Sequence, residues 1–155
     1  LNQKDLMDQE EPGSLKYHNK RVAVTKSFTF DAAHRLERYE GKCKNLHGHT
    51  YRLVVTISGY LNEIGMAMDF GDIKALFQSV IKAKLDHQYL NEVLPEMNTT
   101  AENMIVWIWQ QLEMAMADRG YTAQGHRLEA LRLFETPTSS AEIRREWMVD
   151  DENDR

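Results

Sequence analysis

The chain has 155 residues, 42% of them hydrophobic and 28% charged, with a formal net charge of −5. That length suits one domain with its own core and is short for two. The acidic balance, with no basic cluster standing out, argues against general nucleic-acid affinity. No apolar run is long enough to span a bilayer, and the acidic, polar start Leu1–Ser14 does not read as a secretory signal. A single cysteine excludes an internal disulfide and fits a reducing compartment, so a cytoplasmic location without membrane attachment is expected.

Residues 1–20 are polar with Pro-Gly in the middle and are expected to form a loose arm. From Arg21, the apolar Val22, Val24, Phe28 and Phe30 alternate with Ala23, Thr25, Ser27 and Thr29, the period of a half-buried strand. It runs into Asp31-Ala32-Ala33-His34. Glu37–Lys44 is charged, contains Gly41 and reads as a loop. In the second strand Tyr51, Leu53, Val55 and Ile57 share one parity, and His47 and His49 fall on it.

Gly59–Gly65 is turn chemistry, and Met66-Ala67-Met68 reads as a short strand or its end. Asp69 caps a helix whose face carries Ile73, Leu76, Phe77, Val80, Ile81 and Leu85, ending near Asp86-His87. A second helix starts at Thr99 or Thr100, with Thr99-x-x-Glu102 as a capping box and Ile105, Ile108, Trp109, Leu112 and Met116 on one face. A hairpin closes the domain: a strand with Leu131 and Leu133 ends at Glu135, and an edge strand returns over Ala141–Trp147. The tail 149–155 is acidic and is expected to be disordered. The order strand, strand, helix, helix, strand, strand predicts an α+β domain over 21–148, an antiparallel sheet with both helices on one face.

The chemistry-bearing residues gather around Cys43-x-x-x-His47-Gly48-His49. Two imidazoles on one face of a strand form half of a first-row metal site, although His-x-His serves equally well in ordinary strand chemistry. His34, ending the neighbouring strand, raises the odds of a metal site. Three His with an open position is the catalytic zinc pattern. A cupin site would want an acid shortly after, where Arg52-Leu53-Val54-Val55 offers none. Cys43 sits in a polar loop between Lys42 and Lys44, and both lysines and a nearby dication would favour its thiolate. An Asp at a helix C-terminus, as at Asp86, opposes the dipole and hints at pairing with His87. Glu135 is either a solvated carboxylate or an anchor for an amino-heterocycle.

Taken together, Phe30-Asp31-Ala32-Ala33-His34-Arg35-Leu36, Cys43-x-x-x-His47-Gly48-His49, Leu85-Asp86-His87-x-x-Leu90-Asn91, Thr99-Thr100-Ala101-Glu102-Asn103 and Glu135-Thr136-Pro137-Thr138 resemble the 6-pyruvoyltetrahydropterin synthase superfamily, from about Val22 to Arg145. The resemblance implies the tunnelling fold, a four-stranded antiparallel sheet with two helices on one face. Three subunits would close their sheets into a β-barrel, and two trimers would stack into a homohexamer with active sites between subunits. It implies zinc on His34, His47 and His49, Cys43 as catalytic base, Asp86 and His87 as a proton relay, and Glu135 as the pterin anchor. Thr100 and Glu102 match positions that line the pterin pocket. The implied substrate is 7,8-dihydroneopterin triphosphate. The compact spacing from Cys43 to His47 looks more like the branch that makes 6-carboxy-5,6,7,8-tetrahydropterin for queuosine than like the 6-pyruvoyltetrahydropterin branch. A branch making 6-hydroxymethylpterin carries Glu where Cys43 stands. A non-catalytic zinc- or pterin-binding module is the reading from another class. For the triphosphate, Lys26, Arg35 and Arg52 are candidates.

Overall fold

The computed structural model describes residues 13–148; the expectations for 1–12 and for the acidic tail lie outside them. Strand β1 (Arg21–His34) and strand β2 (His47–Tyr60) form a long antiparallel pair in unbroken register, from Arg21↔Tyr60 to His34↔His47. Their inward parity carries Phe28, Phe30 and Ala32 against Tyr51, Leu53, Val55 and Ile57, all buried. Strand β4 (Arg127–Thr136) pairs with β2, and β5 (Ser139–Arg144) pairs with β4. At Thr56/Ile57 the β2–β4 register slips by one residue. That bulge lets Leu128 share the inner face with Leu131 and Leu133, which strict alternation forbids.

Helix α1 (Phe70–Leu76) starts at Asp69, whose carboxylate accepts the Gly71 N–H at 2.7 Å. It widens into a π-helical segment, Phe77–Lys82, and closes as α2 (Ala83–Leu85). Ile73, Leu76, Phe77, Ile81 and Leu85 all point into the core, and Phe77 stacks on Phe28 at 4.3 Å. A two-residue strand β3 (Gln88–Tyr89) and one turn of helix α3 (Leu90–Val93) follow. Helix α4 (Ala101–Asp118) buries Met104, Ile105, Ile108, Trp109, Leu112 and Met116 against the sheet.

The α+β architecture holds, with corrections in detail. The sheet has five strands in the order β3-β1-β2-β4-β5, because the chain after the first helix returns parallel to β1 at Ala32 and Ala33. Met66-Ala67-Met68 is an irregular segment rather than a strand; the Ala67 carbonyl accepts from His126 Nε2 at 2.9 Å instead of from a ladder. The last strand stops at Arg144, and Arg145–Met148 turns as helix α5. The Thr99-x-x-Glu102 capping box does not form. Thr100 is the N-cap, accepting the Asn103 N–H at 3.2 Å, because Thr99 is drawn into the core by other partners. No helix of the described residues is long and apolar enough to cross a membrane.

Candidate active site

The β1–β2 register places His34 directly opposite His47 and Ala32 opposite His49, so three imidazoles meet at one end of the sheet. Glu135 joins them from β4. Between Phe134 and Thr136 the β4–β5 pairing slips, leaving Glu135 without a partner on β5 and free to be aimed elsewhere. One donor atom from each of His34, His47, His49 and Glu135 lies within 4.8 Å of the other three.

The hydrogen bonds decide what these atoms present. His34 is fully buried, and its Nδ1 donates to the Thr99 carbonyl at 2.8 Å. His47 Nδ1 donates to the Asn45 carbonyl at 2.7 Å. Carbonyls only accept, so both rings carry their proton on Nδ1 and turn the Nε2 lone pair inward. The two Nε2 atoms are 3.0 Å apart. Glu135 Oε1 lies 3.1 Å from His34 Nε2 and 3.2 Å from His49 Nε2. His49 Nε2 is buried and, despite that proximity, has no partner in hydrogen-bonding geometry. When the rings carry a second proton, a hydrogen bond from His34 and the positive charge of the imidazoles hold Glu135 below the usual carboxylate range, against the opposing effect of burial. Burial, only partly offset by Glu135, lowers the His49 pKa.

With the rings neutral, acceptor atoms converge on one point, an arrangement that could hold a metal ion. Zinc bonds of about 2.0–2.1 Å in tetrahedral geometry put ligand atoms roughly 3.3 Å apart. The observed 3.0, 3.1 and 3.2 Å lie close to that. The donor set, three nitrogens and a carboxylate, suits zinc far better than the all-oxygen preference of calcium or magnesium.

Asp86 and His87 form the expected pair: His87 Nδ1 donates to Asp86 Oδ2 at 3.0 Å. The pair is built on β1. The Asp31 N–H donates to Asp86 Oδ1 at 3.0 Å, and the His87 N–H donates to the Asp31 carbonyl at 2.6 Å. The Asp31 amide is the foremost reason that Asp86 stays ionised below the usual carboxylate range, with His87 adding to it. His87 takes the left-handed conformation at φ 58, a strain that the flanking contacts hold in place. Its ring is 77% exposed and faces a cavity of about 580 Å³ shared with Asp31, His49 and Thr50. His49 of the cluster and His87 of the pair therefore open onto one space. A second cavity of about 460 Å³ runs from His49 to Glu135 and Arg52, whose guanidinium lies 3.9 Å over the Phe134 ring.

Three residues stand apart. Cys43 is half-buried in a 3₁₀ turn, Lys42–Lys44, outside the ligand-distance group and outside both cavities. It is a thiol set apart from the His34, His47, His49 and Glu135 group. Thr100 and Glu102 line neither cavity; Thr100 serves the helix cap and Glu102 is exposed.

Other contributors were given no part in the site by the sequence. The buried Thr99 lends its carbonyl to His34, and its hydroxyl donates to the Arg35 carbonyl at 3.3 Å. Tyr51, stacked on Phe30 at 5.0 Å, brings its hydroxyl to 3.5 Å from His34 Nδ1. Burial pushes the Tyr51 pKa far up, so the hydroxyl stays protonated. Asn91 holds both the N–H and the C=O of Arg35 at 3.0 Å, and Asn98 does the same for Glu37 at 3.0 and 3.2 Å. Two amide side chains thereby stand in for a missing strand beside residues 35–37. A polar residue just past a predicted helix is the signal that could have found them.

Residues 23–146 match the family model described as 6-pyruvoyl tetrahydropterin synthase. The chain belongs to this family. A 6-carboxy-5,6,7,8-tetrahydropterin synthase of Synechocystis sp. is 39% identical over 123 residues, covering 76% of this chain and 89% of the relative. A 6-pyruvoyl tetrahydrobiopterin synthase of Dictyostelium discoideum is 35% identical over 114 residues, covering 64% and 84%. In fold, the chain is similar to the structure of Caenorhabditis elegans 6-pyruvoyl tetrahydropterin synthase, with a TM-score of 0.70 at 24% identity, covering 83% of this chain and 98% of that one.

Proposed function

We propose that this family member converts 7,8-dihydroneopterin triphosphate to 6-carboxy-5,6,7,8-tetrahydropterin, releasing acetaldehyde and triphosphate, as a zinc-dependent step toward queuosine. The observation that carries a metal-dependent lyase is the pair of imidazoles whose Nδ1 atoms are committed to carbonyls, leaving Nε2 lone pairs 3.0 Å apart. The carboxy branch is supported by the relative of that name, which is more alike and covers more of this chain than the pyruvoyl relative.

His34, His47 and His49 would hold zinc, which supplies Lewis acidity toward the side-chain hydroxyls of a bound substrate. Cys43, as thiolate, takes a proton from the substrate side chain in the assembled active site. His87, oriented by Asp86, carries a second proton transfer. Its exposure suits a group that exchanges protons with substrate and solvent in turn. Glu135 orients the pterin ring by turning into the cavity it shares with Arg52. Thr100 and Glu102 complete the pterin pocket from a neighbouring subunit, a role compatible with their lying away from this chain's own cavities. The assembly is a homohexamer of two stacked trimers, with sheets joined into a barrel through the β5 edge and the edge formed by β3 and the part of β1 that β3 does not cover. It satisfies edges that an isolated sheet leaves unpaired.

The test is incubation of the zinc-loaded protein with 7,8-dihydroneopterin triphosphate while following acetaldehyde and triphosphate together. Both should appear in equal amounts. Triphosphate without acetaldehyde would favour the second reading, 6-pyruvoyltetrahydropterin synthesis, which the Dictyostelium relative supports. Bound zinc and pterin with no turnover would leave a binding module.

A further inference from the structure

A substrate carrying a triphosphate brings several negative charges to a chain whose own net charge is −5. Something local must offset that repulsion. Three cavities adjoin the site, and their walls differ in sign. The one beside His87 is walled by Asp31 and bordered by the ionised Asp86, which disfavours an anion. The one beside Glu135 contains one cation, Arg52, in company with that carboxylate.

The third, about 410 Å³, lies within the loop joining β1 to β2 and is walled by Arg35, Arg38 and Lys44 together with Glu37, Glu40 and Asn45. Lys42 belongs to the same loop, which carries four cations against two acids. None of these four cationic side chains makes an ion pair or hydrogen bond among the described residues. Elsewhere, Arg21, Arg119, Arg132, Arg144 and Arg145 are engaged in such contacts, while Arg127 is not. Unpaired guanidinium and ammonium groups around a polar cavity suit phosphate oxygens, Arg as a planar fork and Lys as a point charge.

The loop is also anchored where an anion site needs rigidity. Asn91 and Asn98 clamp the backbone of Arg35 and Glu37, and the Leu36 N–H donates to the Cys43 carbonyl at 2.9 Å. Arg38 turns through φ 55, a left-handed step uncommon outside glycine. The cavity begins at Arg35, next to His34, and ends at Asn45, whose carbonyl holds His47. Its lining thus includes the chain neighbours of His34 and Cys43 and the residue whose carbonyl holds His47.

We infer that this loop cavity is a polyphosphate subsite, in which Arg35, Arg38 and Lys44 bind the triphosphate chain of the substrate. The assignment rests on the proposed reading that the substrate is a pterin carrying a triphosphate. Of the cations singled out from sequence, Arg35 belongs to it, whereas Lys26 and Arg52 do not.

The test is calorimetric titration of the full zinc-loaded protein with inorganic triphosphate, comparing wild type with Arg38→Gln, Arg38→Glu and Arg52→Gln. Arg38→Gln should weaken binding about tenfold and Arg38→Glu about a hundredfold, the scale of losing and then reversing one charge-assisted contact. KM for 7,8-dihydroneopterin triphosphate should rise in step, while kcat stays within about threefold. Arg52→Gln should bind triphosphate as wild type does, and Arg38→Lys should recover part of the loss. Unchanged affinity in Arg38→Glu, or an equal loss in Arg52→Gln, overturns the subsite. The two proposals fail separately. Arg38-dependent triphosphate binding without acetaldehyde release refutes the carboxy reaction alone, and acetaldehyde release with normal triphosphate affinity in Arg38→Glu refutes the subsite alone.

Discussion

The three histidines and Cys43 all fall between positions 34 and 49, yet the fold treats them in opposite ways. His34, His47 and His49 sit on paired strands, in a register fixed by fourteen consecutive cross-strand partners. Two of the rings are locked by backbone carbonyls. Cys43 sits on a three-residue 3₁₀ turn with no buried residue of its own. The three imidazoles are thus built into a long paired-strand register and the thiol into the loop that joins the two strands. Metal binding and chemistry should then be separable by mutation.

The sharpest break should come from His34→Ala. It removes a ligand and leaves the Thr99 carbonyl and Tyr51 hydroxyl buried without their partner. Zinc content measured by plasma mass spectrometry should fall below one tenth per chain, with turnover abolished. Thermal melting should show a loss on the order of 2–4 kcal/mol.

Cys43→Ala should do the reverse. Zinc content and melting temperature stay at wild-type values, while turnover falls about 10²–10⁴-fold, the range of a positioned acid or base. Turnover within tenfold of wild type would remove the thiol from the mechanism.

Asp86→Asn probes the relay from the strand side. The native Asp86 pKa is depressed below its unfolded value of about 3.9. The stability it contributes is therefore present above that value and lost as pH falls through the native pKa. Melting curves should show the variant less stable than wild type at pH 7, with the gap closing below about pH 4. A gap independent of pH would mean the Asp31 amide does not favour the charged form.

The smallest effect belongs to Thr100→Ala, which deletes the cap of α4 and should cost about 1 kcal/mol in denaturant unfolding with zinc content unchanged. If turnover also falls, the pterin-pocket role proposed for Thr100 gains support.

Much of this was readable from residue order. Period-two alternation placed both long strands, and parity put His47 and His49 on the face of Leu53 and Val55. The Asp86 carboxylate, misplaced at a helix end, marked its own pairing with His87. What escaped depended on contacts distant in sequence. Thr99 was a better capping-box residue on spacing alone, but burial beside His34 reassigned it and shifted the cap to Thr100. The bulge that strips Glu135 of its β5 partner has no local signal, so its reach toward His34 and His49 was not visible. The two-residue strand Gln88–Tyr89 is too short to show a period. The Asn91 and Asn98 clamps act on backbone more than fifty residues away.

The most direct test of the central claim is mass-spectrometric identification of the pterin formed from 7,8-dihydroneopterin triphosphate by the zinc-loaded protein. The account predicts 6-carboxy-5,6,7,8-tetrahydropterin with one acetaldehyde per turnover, and no product from the metal-stripped protein. A 6-pyruvoyl product without acetaldehyde, or undiminished turnover after zinc removal, would contradict it.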